Sequence, residues 1–288
     1  FDEIHLIRNW SSIVKGLWDE DRAKDLQMHV VVLGSAPLLI QRDISESLMG
    51  RYETLQMTHW SFEEMRNCFD FSLDQYIFFG GYPGTAQFAL TDEKRWKNNV
   101  KDSLIEPNLV KDILVLAKIE KPALLRDLFE LGCSYSGQRV AVNTLLSQLN
   151  DAGNTTTLSH YLKLLNAAGL LAGLSKYTHN VSRQRQSIPK LNVLNNAFLS
   201  VYSGYQFAEA RQDKTFWGRL VESAIGSHLI NSAKGEIDVS YWNENSLEVD
   251  FVLHDGKKVA ALEVKSSPVK PGANKGLEAF KQKHSLFI

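Results

Sequence analysis

One dipeptide constrains the fold of this 288-residue chain more than any other feature. Asp255-Gly256 lies between two apolar-rich segments, Leu247 to Leu253 and Val259 to Ser266. Asp-Gly in this setting is the strongest short-range signal for a β-hairpin, and a two-residue loop is its commonest form. The sequence therefore predicts an antiparallel hairpin whose register is set by a two-residue loop.

That loop decides which side chains share a face of the hairpin. It predicts three facing pairs, which are His254 with Lys257, Asp250 with Ala261, and Glu248 with Glu263. Because side chains alternate along a strand and facing residues project to the same side, one face becomes charged. The charged face carries Glu248, Asp250, Glu263 and Lys265, and the opposite face carries Val249, Phe251, Leu262 and Val264.

The charged face is suited to metal-dependent chemistry. In the predicted register Asp250 and Glu263 are diagonal neighbours with Cα atoms about 7 to 8 Å apart, so both carboxylates reach one metal ion. Lys265 follows about 7 Å further along the strand. A divalent cation such as Mg²⁺ stabilises negative charge on a phosphodiester and lowers the pKa of its bound water, which the lysine would orient. We therefore predict a metal site at Asp250 and Glu263.

A third acid accompanies the hairpin. In the helix predicted from about Phe216 to Ser232, Glu222 shares its face with Ile225 and Leu229. A carboxylate within an apolar stripe requires a partner or a metal. If the domain cleaves, we expect Glu222 to support the metal shell. The alternative is a charged scaffold without chemistry, in which Lys265 pairs with Glu263 or Glu248.

Composition narrows the function classes. The net charge of −1 excludes a globally basic surface, so any DNA binding relies on local patches. Cys68 and Cys133 are far apart in the sequence, which predicts free thiols in a reducing compartment. No apolar run approaches the roughly 20 residues of a membrane span, and no signal peptide opens the chain. We expect a cytoplasmic protein.

The N-terminal residues are typical of an α/β domain. Phe1-Asp2-Glu3 predicts the end of a strand, and a helix follows it. Val30 to Leu33 lacks polar alternation, which is typical of a strand covered on both faces in a parallel sheet. Gly34-Ser35 then falls at its carboxyl end. Because the first strand lacks a beginning, we expect the chain to be cut from a longer protein.

The middle of the chain is predicted to be helical. Apolar spacing indicates helices from Ser61 to about Ile119, interrupted by a loop at 80–84. Further helices follow near 124–131, 140–149 and 158–165. The last of these is capped by Asn154 and ended by Gly169, with a strand behind it. This order outlines a winged helix.

A winged helix suggests DNA, with the helix from about Thr156 to Ala167 in the major groove. Its main polar groups are Ser159, His160 and Lys163, too few cations to anchor a helix on phosphates. We favour a packing or protein-contact role for this helix. A basic stretch just beyond it could contact a DNA backbone, and it comprises Lys176, Arg183, Arg185 and Lys190.

The C-terminal pattern resembles the restriction-endonuclease-like PD-(D/E)xK fold. In that fold a helix acid is followed by an Asp, a spacer of about a dozen residues, and Glu-x-Lys across a hairpin, as in Glu222, Asp250 and Glu263-Val264-Lys265. Val249 stands where many members have proline. The resemblance implies a metal held by Asp250 and Glu263, with catalytic roles for Glu222 and Lys265.

The N-terminal pattern resembles the second half of an AAA+ ATPase. The resemblance implies that Asp2 holds Mg²⁺ through water, that Glu3 orients the attacking water, and that Ser35 is the phosphate sensor. Gly50-Arg51 matches a glycine-arginine placed near the terminal phosphate. No G-x-x-x-x-G-K-[ST] phosphate loop occurs, so tight ATP binding and ATP hydrolysis are expected only in the full-length protein.

The whole chain is similar to bacterial and archaeal AAA-type ATPases with a C-terminal domain of unknown function 4143. We predict an α/β protein with a partial AAA+ P-loop domain (1–60), a helical lid (61–120), a winged helix (121–190) and a C-terminal restriction-endonuclease-like mixed α/β domain (191–288). The C-terminal domain is expected to contact DNA or a protein partner. The alternatives are a Mg²⁺-dependent DNA endonuclease, a non-catalytic DNA- or protein-binding module, and a purely structural protein.

Overall fold

Helices supply most of the ordered elements of this chain, and in the described residues the strands form a two-stranded and a three-stranded antiparallel sheet. The computed structural model describes residues 1–2, 4, 7–34, 44, 47–109, 113, 119–150, 153–178, 180, 182, 184, 186–267 and 274–284. The predicted mixed α/β class is confirmed at this level.

The N-terminal segment contains helix α1 (Trp10–Ala23) and two paired extended stretches. The Phe1 amino group donates to the Val31 carbonyl at 2.8 Å, and the Leu33 N–H donates to the Phe1 carbonyl at 2.7 Å, the pattern of a parallel pair. Ile4, Trp10 and Leu48 form a small core beside them. The prediction that Val30 to Leu33 is covered on both faces is wrong, because Val31 is 66% exposed and no described element packs over it.

Serine caps start the first helices of the middle region. Ser61 and Glu64 form a reciprocal capping box before α2 (Phe62–Phe69), and Ser72 and Gln75 form another before α3 (Leu73–Phe79). Gly80 ends α3 at φ +70°, where an added Cβ would lie 2.0 Å from the Asn195 side-chain oxygen. A short 3₁₀ turn (Pro83–Thr85), α4 (Ala86–Ala89), α5 (Glu93–Asn99) and a π-helix (Val100–Ile105) follow.

The predicted order of three helices and a strand is confirmed, and a second strand follows. Helices α6 (Pro122–Ser134), α7 (Val142–Gln148) and α8 (Thr155–Ala167) precede an antiparallel pair, β1 (Leu171–Leu174) and β2 (Lys190–Val193). As predicted, the Asn154 side chain accepts from the Thr157 N–H at 2.9 Å, and Gly169 follows α8 at φ +73°. The winged helix itself stays a prediction.

The C-terminal region places a long helix against a three-stranded meander. Two short helices, α9 (Asn196–Tyr202) and α10 (Phe207–Gln212), lead to α11 (Lys214–Ala233), which the Asp213 carboxylate caps. Strands β3 (Asp238–Glu244), β4 (Leu247–His254) and β5 (Val259–Leu262) then pair in order, and α12 (Lys275–His284) follows.

Apolar packing joins the middle region to α11. One core extends from Met65 to Ala224, so it includes residues of α2 through α11. The three-stranded sheet is covered on both faces. Phe251 and Tyr241 pack toward β1, whereas Trp242 and Val249 pack against Phe280 of α12.

Two glycines let helices approach the sheet closely. A Cβ at Gly226 of α11 would lie 2.2 Å from the Asn192 side-chain oxygen and 2.8 Å from the Phe251 ring. A Cβ at Gly276 of α12 would lie 1.9 Å from the Glu248 carbonyl oxygen. The sequence thus permits contacts between helix backbone and sheet that any larger residue would prevent.

We predict that Gly226→Ala destabilises the protein. The added methyl would force Asn192 or Phe251 to move, and overpacking of a core costs about 1 to 3 kcal/mol. Gly218→Ala on the same helix is the matched control, because its Cβ would lie 3.6 Å from the nearest atom, Ser266 Oγ. That variant should gain up to about 1 kcal/mol of helix propensity. Urea denaturation of both variants checks the prediction, and equal midpoints would contradict it.

A histidine joins three separate stretches of the chain. His59 Nε2 lies 2.8 Å from the Gly169 carbonyl oxygen, and Nδ1 lies 3.3 Å from Asn195 Nδ2. The Asn195 side-chain oxygen already accepts from the N–H groups of Gly81 and Ala197, so its NH₂ faces the ring. These contacts fit a neutral imidazole protonated at Nε2. Burial lowers the pKa of His59, against a smaller opposing effect of its hydrogen bond to Gly169.

We predict that His59 makes stability fall as the pH is lowered. The unfolded chain protonates this imidazole near its ordinary pKa of about 6.5, whereas the folded chain resists protonation. The free energy of unfolding should therefore be greatest above that value and decrease as the pH falls toward the lowered folded pKa. Urea denaturation across this range should show a flatter profile for His59→Gln. The exposed control His160→Gln should retain the wild-type profile, and an equal flattening in both variants would contradict the prediction.

Candidate functional site

The predicted acids line one cleft between the C-terminal sheet, α11 and the loop before α7. The cleft has a volume of about 400 Å³, and its walls are Gly137, Gln138, Arg139, Glu222, Glu248, Asp250 and Glu263. Lys265 joins the group through Glu263, with its Nζ 2.5 Å from Oε1. The structure therefore brings together the four predicted residues of the C-terminal site.

The hairpin register differs from the predicted one by two residues. Strand pairing joins Phe251 to Leu262 and Val252 to Ala261, so four residues rather than two connect β4 and β5. The predicted pairs are wrong, and these were His254 with Lys257, Asp250 with Ala261, and Glu248 with Glu263. A shift of two preserves the alternation of side chains, which is why the acids still project to one side.

The Asp255 carboxylate explains the longer loop. It accepts hydrogen bonds from the backbone N–H groups of Lys257 and Lys258 at 2.9 and 2.7 Å, an arrangement that competes with the two-residue turn. At the other end, β5 ends at Leu262 rather than continuing to Ser266. There the Val264 N–H donates to Asp250 Oδ2 at 2.8 Å, which holds the carboxylate in place.

Lys190, which the basic stretch suggested as a DNA contact, lies among these carboxylates. Lys190 is fully buried, and its Nζ lies 2.5 Å from Glu222 Oε1, 3.5 Å from Asp250 Oδ1 and 3.1 Å from the Asp250 carbonyl oxygen. The suggestion that Lys190 contacts a DNA backbone is therefore wrong, because its ammonium points into the protein. Arg183 and Arg185 of the same basic stretch lie outside the described residues.

Glu222 lies at the edge of the buried face of α11. Its predicted companion Ile225 is 37% exposed, whereas Leu229 is partly buried against the core, so the predicted stripe packs only in part. Small residues make the closest packing, including Ser223 and Gly226. Burial raises the pKa of Glu222, Lys190 opposes this shift, and the neighbouring charge of Asp250 adds to it. Glu222 therefore has Lys190 as its charged partner, which a largely buried carboxylate requires.

Glu263 divides its two oxygens between different environments. Oε1 accepts from Lys265, and this hydrogen bond raises the pKa of the lysine against the opposing effect of desolvation. Oε2 is buried and has no hydrogen-bond partner among the described residues. An unpaired buried carboxylate oxygen is costly, so this atom is free to accept a hydrogen bond or to bind a cation.

Charge is nearly balanced in the cluster. Glu248 at the rim pairs with Arg139 at 3.2 Å. With that pair included, the ion-paired groups are four carboxylates (Glu222, Glu248, Asp250, Glu263) and three cations (Arg139, Lys190, Lys265), an excess of one negative charge, and Arg219 adds a nearby positive charge that interacts with Glu222. In the part of the chain that is described, no three or more His, Cys, Asp or Glu side chains are spaced to hold a metal. Lys190 explains this spacing, since its ammonium lies between Glu222 and Asp250.

The predicted nucleotide residues are only partly described. Glu3 and Ser35 lie outside the described residues. Asp2 is exposed, and the exposed Arg51 places its guanidinium carbon 5.2 Å from the centre of the Trp18 ring. Their roles toward ATP stay predictions. No helix among the described residues combines the length and apolar character of a membrane span.

Family models match three successive parts of the chain. Residues 1–66 match an AAA domain, residues 70–207 match Domain of unknown function (DUF8612), and residues 217–287 match Domain of unknown function (DUF4143). The predicted combination of an AAA-type segment with DUF4143 is thereby confirmed. Arg139 and Lys190 come from the middle match, whereas the four carboxylates come from the last one.

Two curated relatives match most of the chain. An uncharacterized protein from Methanocaldococcus jannaschii is 20% identical, over 90% of this chain and 58% of its own length. An uncharacterized protein from Haemophilus influenzae is 25% identical, over 91% of this chain and 64% of its own length. The chain thus spans about three fifths of the length of these relatives. No solved structure matches.

We predict that Glu222→Gln destabilises the protein far more than Glu248→Gln. Loss of the Glu222 charge leaves the fully buried Lys190 without its nearest counter-ion, and breaking a buried pair costs about 3 kcal/mol. The Glu248–Arg139 pair is partly exposed, and such pairs contribute less than about 1 kcal/mol. Urea denaturation of the two variants measures the difference. Similar losses would mean that Lys190 is not held by Glu222.

Proposed function

Because an AAA-type segment precedes a DUF4143 segment, we propose that this chain is part of an ATP-binding protein whose C-terminal domain binds a divalent cation and acts on DNA. Asp250 and Glu263 would hold Mg²⁺. The observation that carries the proposal is the convergence of these two carboxylates with an unpartnered oxygen on Glu263.

The donor set suits a hard cation. Mg²⁺ is usually bound through one or two carboxylates together with water and phosphate oxygens. Asp250 is fixed by its hydrogen bond from Val264, and Glu263 Oε2 lacks a partner among the described residues. A bound cation would satisfy this oxygen and offset the excess negative charge of the cluster.

The surrounding side chains have distinct roles in this proposal. The metal would supply a polarised water and neutralise charge on a phosphodiester. Lys265 is 46% exposed and hydrogen-bonded to Glu263, so its ammonium would orient that water or a phosphate oxygen. Glu222 would act through Lys190, since its described ion pair is with that buried ammonium.

DNA binding at this cleft would depend on cations. A cleft lined mainly by carboxylates repels a polyanion, and phosphates are bound through neutralising charge. Arg139 lies at the rim and carries a guanidinium suited to phosphate oxygens. The metal and Arg139 would therefore share the task of holding a phosphodiester.

A second candidate is a binding module without chemistry, which contacts DNA or a protein. Lys190 favours it, because a fully buried ammonium already neutralises Glu222 and part of Asp250. In such a module the carboxylates would fix α11 against the sheet, and Lys265 and Arg139 would be surface ion pairs.

ATP binding belongs to the complete protein in this proposal. The sequence carries no phosphate loop, and the chain spans about three fifths of its relatives. Asp2 and Glu3 would serve Mg²⁺ and water, with Ser35 and Arg51 near the phosphates. A cytoplasmic location is proposed with it, where ATP and reduced thiols are available.

We predict that Asp250→Asn lowers the affinity for Mn²⁺ by at least about tenfold, since a neutral amide is a poor ligand for a hard cation. The Asn side chain can accept from Val264 or from Lys190 but not from both, so some stability should be lost, and Glu222 and the residue 250 carbonyl still hold the ammonium and should maintain the fold. Isothermal titration with Mn²⁺ measures the affinity, and nicking of supercoiled plasmid DNA in Mg²⁺ measures cleavage.

Asp238→Asn is the matched control, because Asp238 is an exposed carboxylate of the same sheet. It should bind Mn²⁺ as the wild type does. Equal affinities for the wild type and Asp250→Asn would contradict the metal site. Mn²⁺ binding without plasmid nicking would favour the binding module over the nuclease.

A further inference from the structure

We infer that the Lys190 ammonium takes the place of one divalent cation in the carboxylate cluster, so that the site accepts a single metal ion. The inference rests on the proposed metal site and specifies its stoichiometry. It concerns a residue of the middle segment acting on carboxylates of the C-terminal segment.

The surroundings of Lys190 Nζ are those of a cation site. Two carboxylates and a carbonyl supply its oxygen contacts, from Glu222 Oε1 at 2.5 Å, Asp250 O at 3.1 Å and Asp250 Oδ1 at 3.5 Å. Carboxylate and carbonyl oxygens are also the ligands of Mg²⁺ and Ca²⁺. The ammonium therefore competes directly for oxygens that a second divalent ion would use.

Asp250 stands between two halves of the cluster. On one side it shares Lys190 with Glu222, and on the other its Oδ2 is held beside the Glu263 segment by Val264. Sites with two metals place the ions about 3.5 to 4 Å apart around shared ligands of this kind. Lys190 fills the first half, and the half bounded by Asp250 and Glu263 is left for a metal.

Lys190 is not easily displaced. Its side chain is fully buried, and the ammonium also lies 4.7 Å from the centre of the Phe251 ring. Moving the ammonium away from Glu222 would leave both groups without their nearest counter-ion in a dry environment, which is strongly unfavourable. A divalent ion added to the wild-type protein would therefore bind beside Lys190 rather than replace it.

The charge of the cluster leads to the same stoichiometry. With the four carboxylates and three cations of the ion pairs ionised, these groups carry a net charge of −1, and Arg219 beside Glu222 adds further positive charge that disfavours extra cations. One divalent ion changes this to +1, whereas a second would change it to +3 within one cleft. Lys190→Met removes a positive charge and releases Glu222, so the variant has both the ligands and the charge for a second ion.

The test counts Mn²⁺ ions bound per chain by equilibrium dialysis or electron paramagnetic resonance. We expect one ion for the wild type and two for Lys190→Met, whose side chain keeps the apolar stem. Asn192→Ser is the matched control, because Asn192 is buried on the same strand and its amide bonds to the backbone of Ser223 on α11. Asn192→Ser should lose stability and still bind one ion. Lys190→Arg, which keeps the positive charge, should also bind one ion.

The outcomes separate this inference from the proposed function. Two ions on the wild type, or one on both the wild type and Lys190→Met, would overturn the inference and leave the metal site standing. No ion on the wild type but one on Lys190→Met would overturn both the proposed function and the single-ion stoichiometry of the wild type. No ion on either would overturn both. Should Lys190→Met not fold, Lys190→Gln, which also removes the positive charge, takes its place with the same expected and contradicting ion counts.

Discussion

The contact of Lys190 with Glu222 and Asp250 is the interaction on which the C-terminal half depends. Lys190 belongs to β2, Glu222 to α11 and Asp250 to β4, so one ammonium joins a small sheet, a long helix and a second sheet. A buried charge is tolerated only when its partners are present, which requires these elements to assemble together. The middle and C-terminal family matches therefore meet at a shared ionic contact rather than at a surface between independent units.

Close packing provides the geometry for that contact. Gly226 lets α11 lie against Asn192 and Phe251, and Glu222 precedes it by about one helical turn. The same approach brings Ser223 and Ser227 within hydrogen-bonding distance of Asn192. The Asn192 amide nitrogen is thus satisfied at this interface, whereas its side-chain oxygen has no partner among the described residues. The same packing places Glu222 beside Lys190 at the cleft. Electrostatics and packing specify the same arrangement.

The alternation of side chains along a strand predicted which acids share a face of the hairpin. It could not predict Lys190, whose place in the site depends on tertiary contacts. The hairpin at Asp255-Gly256 was predictable, but its length was not, because the Asp255 carboxylate binds two further N–H groups. Because the strand register differs from the predicted one by two residues, an even number, the acids still project from the same face. Lys190 was missed because a lysine near other basic residues suggests a surface, and its partners lie 32 and 60 positions further along the chain. The available signal was a lysine followed by Leu191, Val193 and Leu194, since a lysine among residues of a buried strand is costly without a carboxylate nearby.

The two candidate functions differ in what they require of individual oxygens. A scaffold of ion pairs is most stable when each buried carboxylate oxygen has a partner, and Lys190 and Val264 supply partners to Glu222 and Asp250. Glu263 departs from this pattern, since Oε2 is buried without a partner among the described residues while Oε1 is bound to Lys265. Leaving that atom unpaired has a cost which a scaffold does not recover and a bound cation does. In the proposed function, a cation bound at this atom would offset that cost, and Lys190 would occupy the other half of the cluster.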